Sequence, residues 1–486
     1  MSPQLEAIIG LEVHAQMNTK TKLFCGCDND AFGKAPNTTV CPICMGHPGT
    51  LPVPNREAIM KAIKASLALK CTLNRKNHFD RKHYFYPDLP AGFQISQYDF
   101  PLASKGLVEY ELPSTAHGGG AGDGGRRCHI TRLHMENDAG KLTHRAGKTL
   151  CDYNRAGTPL MEIVTEPDLR SKEEAVAFAQ ELRRILIAVD ASEADMFKGM
   201  MRFDASISLR EKGDTKLNPR SEIKNLNSFK ALERALEYEE KRLRKQWEED
   251  KGPLKGNITV GWMDDEGKTR LLREKETADD YRYFPEPDIP PLDLPKELIV
   301  ELEKDLPMLP QELKKKYLDL KLTPAEALLL VDQPALCEAF EAVYAKTKDA
   351  KRASSIVLTQ LLGFLNAHGK QIAGGPDRKA IVDLVSFIED GTISGNAAKE
   401  VLEEMVVTGK TAAAIIKEKG MQQISDTGAI ETLVEQAIAK NPEAIESYKK
   451  GKAAALGAIV GWVMKESKGQ ANPKIVNEIL QKKIGM

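Results

Sequence analysis

From Ile9 to Met17 the chain alternates. Ile9, Leu11, Val13, Ala15 and Met17 take one set of positions, while Gly10, Glu12, His14 and Gln16 take the other. A period of two fits a β-strand with one packed face and excludes an amphipathic helix, whose apolar residues recur at three and four. Glu12 and His14 then project from one surface, about 7 Å apart. A mirror of the pattern runs from Met201 to Arg210, where Arg202, Asp204, Ser206, Ser208 and Arg210 form a wholly polar face. A sheet made of such strands packs on one side and offers the other to a ligand.

More extended stretches follow at Ile130 to Glu136, Pro159 to Thr165 and Ser221 to Asn227. Two helices interrupt them. Ser171-Lys172-Glu173-Glu174 has the form of a capping box opening a helix to about Val189. Ser228 to Glu249 carries Phe229, Leu232, Leu236 and Leu243 at helical spacing. The five prolines between Pro285 and Pro295 deny a helix its amide donors and favour an extended connector. Beyond it, Pro295 to Leu320, Thr323 to Val331, Pro334 to Tyr344 and Ser354 to Asn366 are rich in the helix formers Leu, Ala, Glu and Lys. The expected fold is α+β: a β-rich cradle over 1–292, an all-α domain over 293–405 and a small helical tail over 406–486. The glycine-rich run from Ala116 to Gly125 reads as a hairpin tip, since no strand-to-helix context surrounds it.

Charge and cysteine usage narrow the function. The chain as a whole carries a net charge of -1, so any contact with a polyanion is local. The tail from residue 406 holds 12 Lys, no Arg and 8 Asp+Glu, a local excess of +4, with Lys449, Lys450, Lys452, Lys465 and Lys468 as candidate phosphate contacts. Ala453 to Met464, the longest apolar run, is too short to span a bilayer and reads as that tail's core helix. With no secretory leader at its start, the chain reads as cytoplasmic. Of 8 cysteines, Cys25 and Cys27 pair closely, as do Cys41 and Cys44 thirteen residues later. Two such pairs converge readily on one tetrahedral zinc, here a structural one with no open position implied. Cys71, Cys128, Cys151 and Cys337 read as packing residues.

Glu12, Glu136, Glu162, Asp204 and Glu222 each sit on a strand-like stretch, with His14 beside the first. Carboxylates on neighbouring strands about 4.8 Å apart repel unless a hard cation lies among them. Magnesium accepts carboxylates, water and phosphate oxygens, so a nucleotide is the natural third party. No Walker-type loop is present. Arg155, Arg202 and Lys224 lie beside these acids as candidate phosphate donors.

The stretch Cys151-Asp152-Tyr153-Asn154-Arg155-Ala156-Gly157-Thr158-Pro159-Leu160-Met161-Glu162 resembles the signature of the B subunits of the aspartyl/glutamyl-tRNA amidotransferases. So do Ile9-Gly10-Leu11-Glu12-Val13-His14, Tyr84-Phe85-Tyr86-Pro87-Asp88, Lys224-Asn225-Leu226-Asn227-Ser228, the run from Asp280 to Asp288, and Lys468-Gly469-Gln470-Ala471-Asn472-Pro473. They occur in family order from residue 8 to residue 473. The resemblance implies ATP-dependent phosphorylation, then amidation, of the side-chain carboxylate of Glu or Asp misacylated onto tRNA. Matched by position, the family's metal-site residues fall on Glu12, His14, Glu136, Glu162, Asp204 and Glu222, with ATP and Mg²⁺ as cofactors. The chain shows no amidase or glutaminase pattern of its own. The resemblance supplies the amidase (A) and small (C) subunits of a heterotrimer as partners that provide ammonia. Two departures stand out: Asn137 where the family often has a second acid after Glu136, and Lys198 where an acid usually precedes the glycine. The zinc quartet is not universal in the family, so Zn²⁺ rests on the four cysteines themselves.

Overall fold

The computed structural model describes residues 4–112, 125–274, 281–421, 427–449, 456–467, 471 and 473–484. The hairpin tip expected at Ala116 to Gly125 lies outside them, apart from Gly125. The chain divides into two compact units, Met1–Glu312 and Leu313–Met486.

The first unit is built on sixteen strands among the described residues: β1 (Leu5–Gln16), β2 (Thr72–Leu73), β3 (Lys76–Asn77), β4 (Asp80–His83), β5 (Phe93–Ser96), β6 (Ala103–Tyr110), β7 (Arg126–Asn137), β8 (Lys141–Arg145), β9 (Lys148–Asp152), β10 (Pro159–Thr165), β11 (Met201–Glu211), β12 (Ser221–Leu226), β13 (Ile258–Met263), β14 (Lys268–Glu274), β15 (Phe284–Pro285) and β16 (Leu292–Asp293). Nine of them form a mixed sheet in the order β14-β13-β12-β11-β1-β10-β7-β6-β2. Only β12 and β13 run parallel, and helix α3 (Phe229–Asp250) makes the crossover a parallel pair requires. The first strand in sequence is thus the middle strand in space.

The period-two pattern divides the sheet by face. Ile9, Leu11, Val13 and Ala15 of β1 are fully buried together with Leu133, Met161, Ile163, Phe203, Ala205 and Ile207 of neighbouring strands. Helices α2 (Lys172–Ala188) and α3 cover that side, α2 contributing Phe178 and Leu182 and α3 Leu232 and Leu236. Both begin where their serines predict: Ser171 accepts from the Glu174 amide and Ser228 from the Ala231 amide. The returning arm of the capping box lands one residue early, since the Glu174 carboxylate accepts from Arg170 N at 2.9 Å.

The opposite face is overhung by the small sheet β15-β4-β5. Asn137 at the end of β7 fastens it, its side-chain oxygen accepting from Ile95 N at 2.7 Å and its carbonyl from Gln94 Nε2 at 2.9 Å. An amide at this position adds no negative charge between Glu136 and Asp138. The proline-rich segment is extended, as expected, but it is docked. β15 pairs with β4 and β16 with β3, and Glu286 is buried in a bidentate pair with Arg81 at 2.7 and 2.9 Å. Helix α4 (Lys296–Lys304) continues the same unit against α1 (Arg56–Ala68), where Lys64 pairs with Asp305.

In the second unit every described element is helical. Pro295 to Leu320 is not one helix: Pro307 and Pro310 break it between Lys304 and Pro310. Thr323 and Glu326 form a full capping box. The unit holds two apolar clusters, one around Phe340, Val357 and Val401, the other around Val434, Ile459 and Val476. The expected tail helix is observed as Leu456–Glu466. Among the described residues no helix is long and apolar enough to cross a membrane.

Without Glu286 the Arg81 guanidinium loses two charge-assisted hydrogen bonds but keeps Asp288 at 3.0 Å, a loss of about 1.5 to 3 kcal/mol. Glu286→Ala is therefore expected to lower the unfolding free energy of the first unit by roughly that amount and to open the chain between 285 and 295 to protease. Denaturant titration and limited proteolysis check it.

Candidate functional site

Strand register assembles the site. Across the polar face one row reads His134 of β7, Glu162 of β10, His14 of β1 and Arg202 of β11. The next row reads Arg132, Val164, Glu12 and Asp204. His14 Nε2 lies 3.6 Å from Glu12, 3.8 Å from Glu136 and 3.5 Å from Glu162, and His134 Nε2 lies 3.3 Å from Glu162 and 3.7 Å from Glu136. Glu136 also accepts from Ser96 of the overhang at 3.2 Å. Five of the six residues expected as metal ligands thus meet. The sixth, Glu222 of β12, sits across from Ser206 and grips Lys224 Nζ at 2.9 Å.

Lys224 reaches the site through a register shift between Phe203 and Ala205 in the β11–β12 pair, after which Asn225 adopts a left-handed backbone at φ 70°. Its ammonium holds Asp204 at 2.9 Å. Arg202 donates to Asp138 at 3.2 Å. Arg155 stands apart: it donates to the Ala139 and Gly140 carbonyls at 2.9 and 2.7 Å and lies 3.5 Å from Asp138. Lys198 pairs with Glu193 on the loop before β11 and does not line the groove.

Three residues belong to the site that the sequence reading passed over. His134 precedes Glu136 by two on one strand, so the alternation that linked Glu12 to His14 applied to it equally. Asp138 is buried and receives Arg202, Arg155 and Gln16. Lys82 comes from the overhang, its ammonium 5.1 Å above the Tyr281 ring, and no local pattern announces a residue folded over from another sheet.

Burial and charge set the protonation. Burial, then the charges of Glu162 and Asp204, hold Glu12 above the ordinary carboxylate range. Burial works against both imidazolium ions and is outweighed by the surrounding carboxylates, so His14 is raised and His134 is pushed up to about 9. Glu136 and Glu162 are lowered despite burial, chiefly by His134. Lys224 is raised, burial being overcome by Asp204 and Glu222. Without a cation the acids are thus neutralised by protons on histidine.

The donor atoms suit metals. Glu12, His14 and Asp204 form one set with atoms within 4.8 Å of one another, and His14, Glu136 and Glu162 form a second. Nδ1 of His14 and Nδ1 of His134 are buried without a hydrogen-bond partner. An acid-rich set of this span fits a hard divalent cation. The four cysteines expected to hold zinc also converge, their sulfurs within 4.8 Å and those of Cys41 and Cys44 at 3.9 Å. Tetrahedral zinc, with bonds of about 2.3 Å, places sulfurs about 3.8 Å apart. Cys44 is pulled down to about 5, mainly by the hydrogen bond from Cys25, with Lys22 Nζ 3.7 Å away.

Loss of this quartet is expected to loosen the loop that holds Leu23 N on Gly157 O, at the turn leading into β10. If the quartet holds zinc, the protein carries about one per chain, and Cys44→Ser should abolish it and lower the melting temperature by several degrees. Metal analysis and calorimetry read both.

Residues 7–300 match the family model of the GatB/GatE catalytic domain, and residues 338–484 match that of the GatB domain. The aspartyl/glutamyl-tRNA(Asn/Gln) amidotransferase B subunit of Persephonella marina is 46% identical over 481 residues, covering 98% of this chain and 99% of its own. Its counterpart from Carboxydothermus hydrogenoformans is 44% identical over 491 residues, covering 99% of each chain. That of Thermotoga petrophila is 44% identical over 484 residues, covering 98% of each. Matched along nearly its whole length and carrying one acid-lined groove, the chain belongs to the family of aspartyl/glutamyl-tRNA(Asn/Gln) amidotransferase B subunits.

Proposed function

We propose that this protein phosphorylates the side-chain carboxylate of glutamate, or aspartate, misacylated onto tRNA(Gln) or tRNA(Asn), and then amidates it. A carboxylate is too poor an electrophile for ammonia. Its oxygen attacks the γ-phosphorus of ATP, ADP departs, and the acyl phosphate then loses inorganic phosphate to ammonia, which gives up a proton as the amide forms. The observation that carries this reading is the meeting of Glu12, His14, Glu136 and Asp204 in one groove, with Glu162 buried against His14 beneath and Lys224, Arg202 and Lys82 around it.

In this reading Glu12, His14, Glu136, Glu162 and Asp204 hold magnesium. When bound, Mg²⁺ shields the charge of the triphosphate from the approaching carboxylate. Lys224 and Arg202 donate to phosphate oxygens, Glu222 holds Lys224 in place, and Arg155 braces Asp138 beneath Arg202. Zinc staples the loop at the cradle's edge. Ammonia comes from the partner amidase (A) subunit, with the small (C) subunit completing the complex, and the work is done in the cytoplasm. The three-part division at 292 and 405 assigns chemistry to the first part and tRNA binding to the last. Lys465 is exposed on the tail helix. The side chain of Lys449, and Lys450, Lys452 and Lys468 altogether, lie outside the described residues.

Glu162→Gln in the assembled enzyme is expected to reduce Glu-tRNA-stimulated ATP cleavage by about 100-fold or more with the circular dichroism spectrum unchanged. Full ATPase activity in that variant would instead support a tRNA-binding scaffold whose acids only form ion pairs. Truncation after Met421, which spares the helix Gly395–Thr408 and the core residues Ile415 and Ile416, should raise KM for tRNA while leaving basal ATP binding intact, measured by filter binding and nucleotide titration.

A further inference from the structure

Lys22 is one of the largest fully buried side chains of the first unit, with none of its surface reaching solvent. An ammonium withdrawn from water needs an opposite charge beside it. Lys61, the other buried lysine among the described residues, has Asp190 at 2.7 Å. Lys22 has nothing of that kind. Among the described residues its Nζ meets no carboxylate, and it donates only to Tyr153 O at 3.4 Å and to Cys44 Sγ at 3.7 Å.

The backbone explains how a lysine comes to lie there. Lys22 N donates to Cys27 O at 3.0 Å, which closes the hairpin carrying Cys25 and Cys27, and the side chain then crosses to the second cysteine pair at Cys44. Gly157 leaves it room: its φ is +90°, and a Cβ added there would lie 3.3 Å from Lys22 Cδ and 3.4 Å from Cys44 Cβ. That glycine accepts from Leu23 N and donates to Asp138 O, each at 2.9 Å. Lys22 therefore touches both cysteine pairs and the turn behind Asp138. Four thiolates around one Zn²⁺ leave two negative charges in excess. Cys44 Sγ receives the Cys41 amide at 3.2 Å, which supplies a dipole but no charge.

We propose that Lys22 is the counter-ion of the zinc-loaded quartet: its ammonium donates to the Cys44 sulfur, cancels one of the two excess charges, and ties the metal loop to the turn before β10 through Tyr153. The inference rests on the zinc reading and adds a positioning residue outside the four ligands. The metal-bound thiolates and the buried ammonium each supply the charge that the other lacks, and partners of this kind commonly govern metal affinity.

Two variants test this. Lys22→Met keeps the length of the side chain and removes its charge, while Lys22→Gln keeps a donor without the charge. In the full-length chain, assembled with its partners and held in excess Mg²⁺, competition with a chromophoric chelator is expected to show zinc bound about 10- to 100-fold more weakly in Lys22→Met, with Lys22→Gln in between. Cobalt(II) put in place of zinc gives a readout that loosened packing would not move. Without the ammonium the Cys44 sulfur holds its electrons less tightly, so the sulfur-to-cobalt charge-transfer bands should shift to longer wavelength, further in Lys22→Met than in Lys22→Gln. Lys22→Gln decides alone if Lys22→Met does not fold. Zinc affinity and band positions equal to the wild type overturn the assignment, as does a weakened affinity with unmoved bands, which would leave Lys22 a packing residue. A wild type that binds no zinc and shows no such bands overturns the zinc reading itself, and the assignment with it.

Discussion

Anionic side chains crowded on adjacent strands repel one another, and everything about this cradle follows from how that repulsion is met. Glu12, Glu136, Glu162 and Asp204 come from four strands, and the two most buried, Glu136 and Glu162, lie within 4 Å of histidine nitrogens. Lys224 answers Asp204 and Glu222 from the next strand. In the proposed function, each compensating charge is one that a divalent cation or a phosphate would displace or join. A network of this kind does little for stability, since the desolvation of its members offsets their attraction. Its presence in the middle of the largest sheet is therefore a statement about chemistry.

Stability comes from the other side. Ile9, Leu11, Val13 and Ala15 of β1, Cys128, Ile130, Leu133 and Met135 of β7, Met161 and Ile163 of β10, and Phe203, Ala205 and Ile207 of β11 bury one apolar surface under two capped helices, and that burial holds the strands rigid while the acids of the opposite face stay in a mutually unfavourable arrangement. One strand geometry serves both ends, because a pleat separates successive side chains onto opposite faces. The overhanging sheet depends on the same frame. Asn137 ties β5 to the end of β7, and Arg81 with Glu286 ties the proline-rich segment to β4, so the roof over the acids is built from chain two hundred residues apart.

Much of this was legible in the residues themselves. Pro159 to Thr165 folds as the strand it resembles, Ser171 and Ser228 cap the helices they precede, and two cysteine pairs meet because thirteen intervening residues suffice to turn the chain back. These are local properties of spacing and hydrogen-bonding capacity. The position of Lys82 was not legible, because it depends on which sheet folds over which. Nor was the separation of Arg155 from Arg202: both neighbour acids in sequence, and only strand pairing turns one toward backbone carbonyls. The break at Pro307 and Pro310 was visible as two prolines, but the richness of the surrounding stretch in Leu, Glu and Lys outweighed them in a reading by composition.

The central place of β1 has a consequence for biosynthesis. This strand is made well before its two partners, which lie at 159–165 and 201–211. At about 5 to 20 residues per second, an alternating apolar ribbon with both hydrogen-bonding edges bare waits roughly 7 to 30 seconds for its first neighbour and roughly 10 to 40 seconds for both. Over that interval the nascent chain offers an open template for wrong pairing, a hazard that slow, non-local strand closure prolongs.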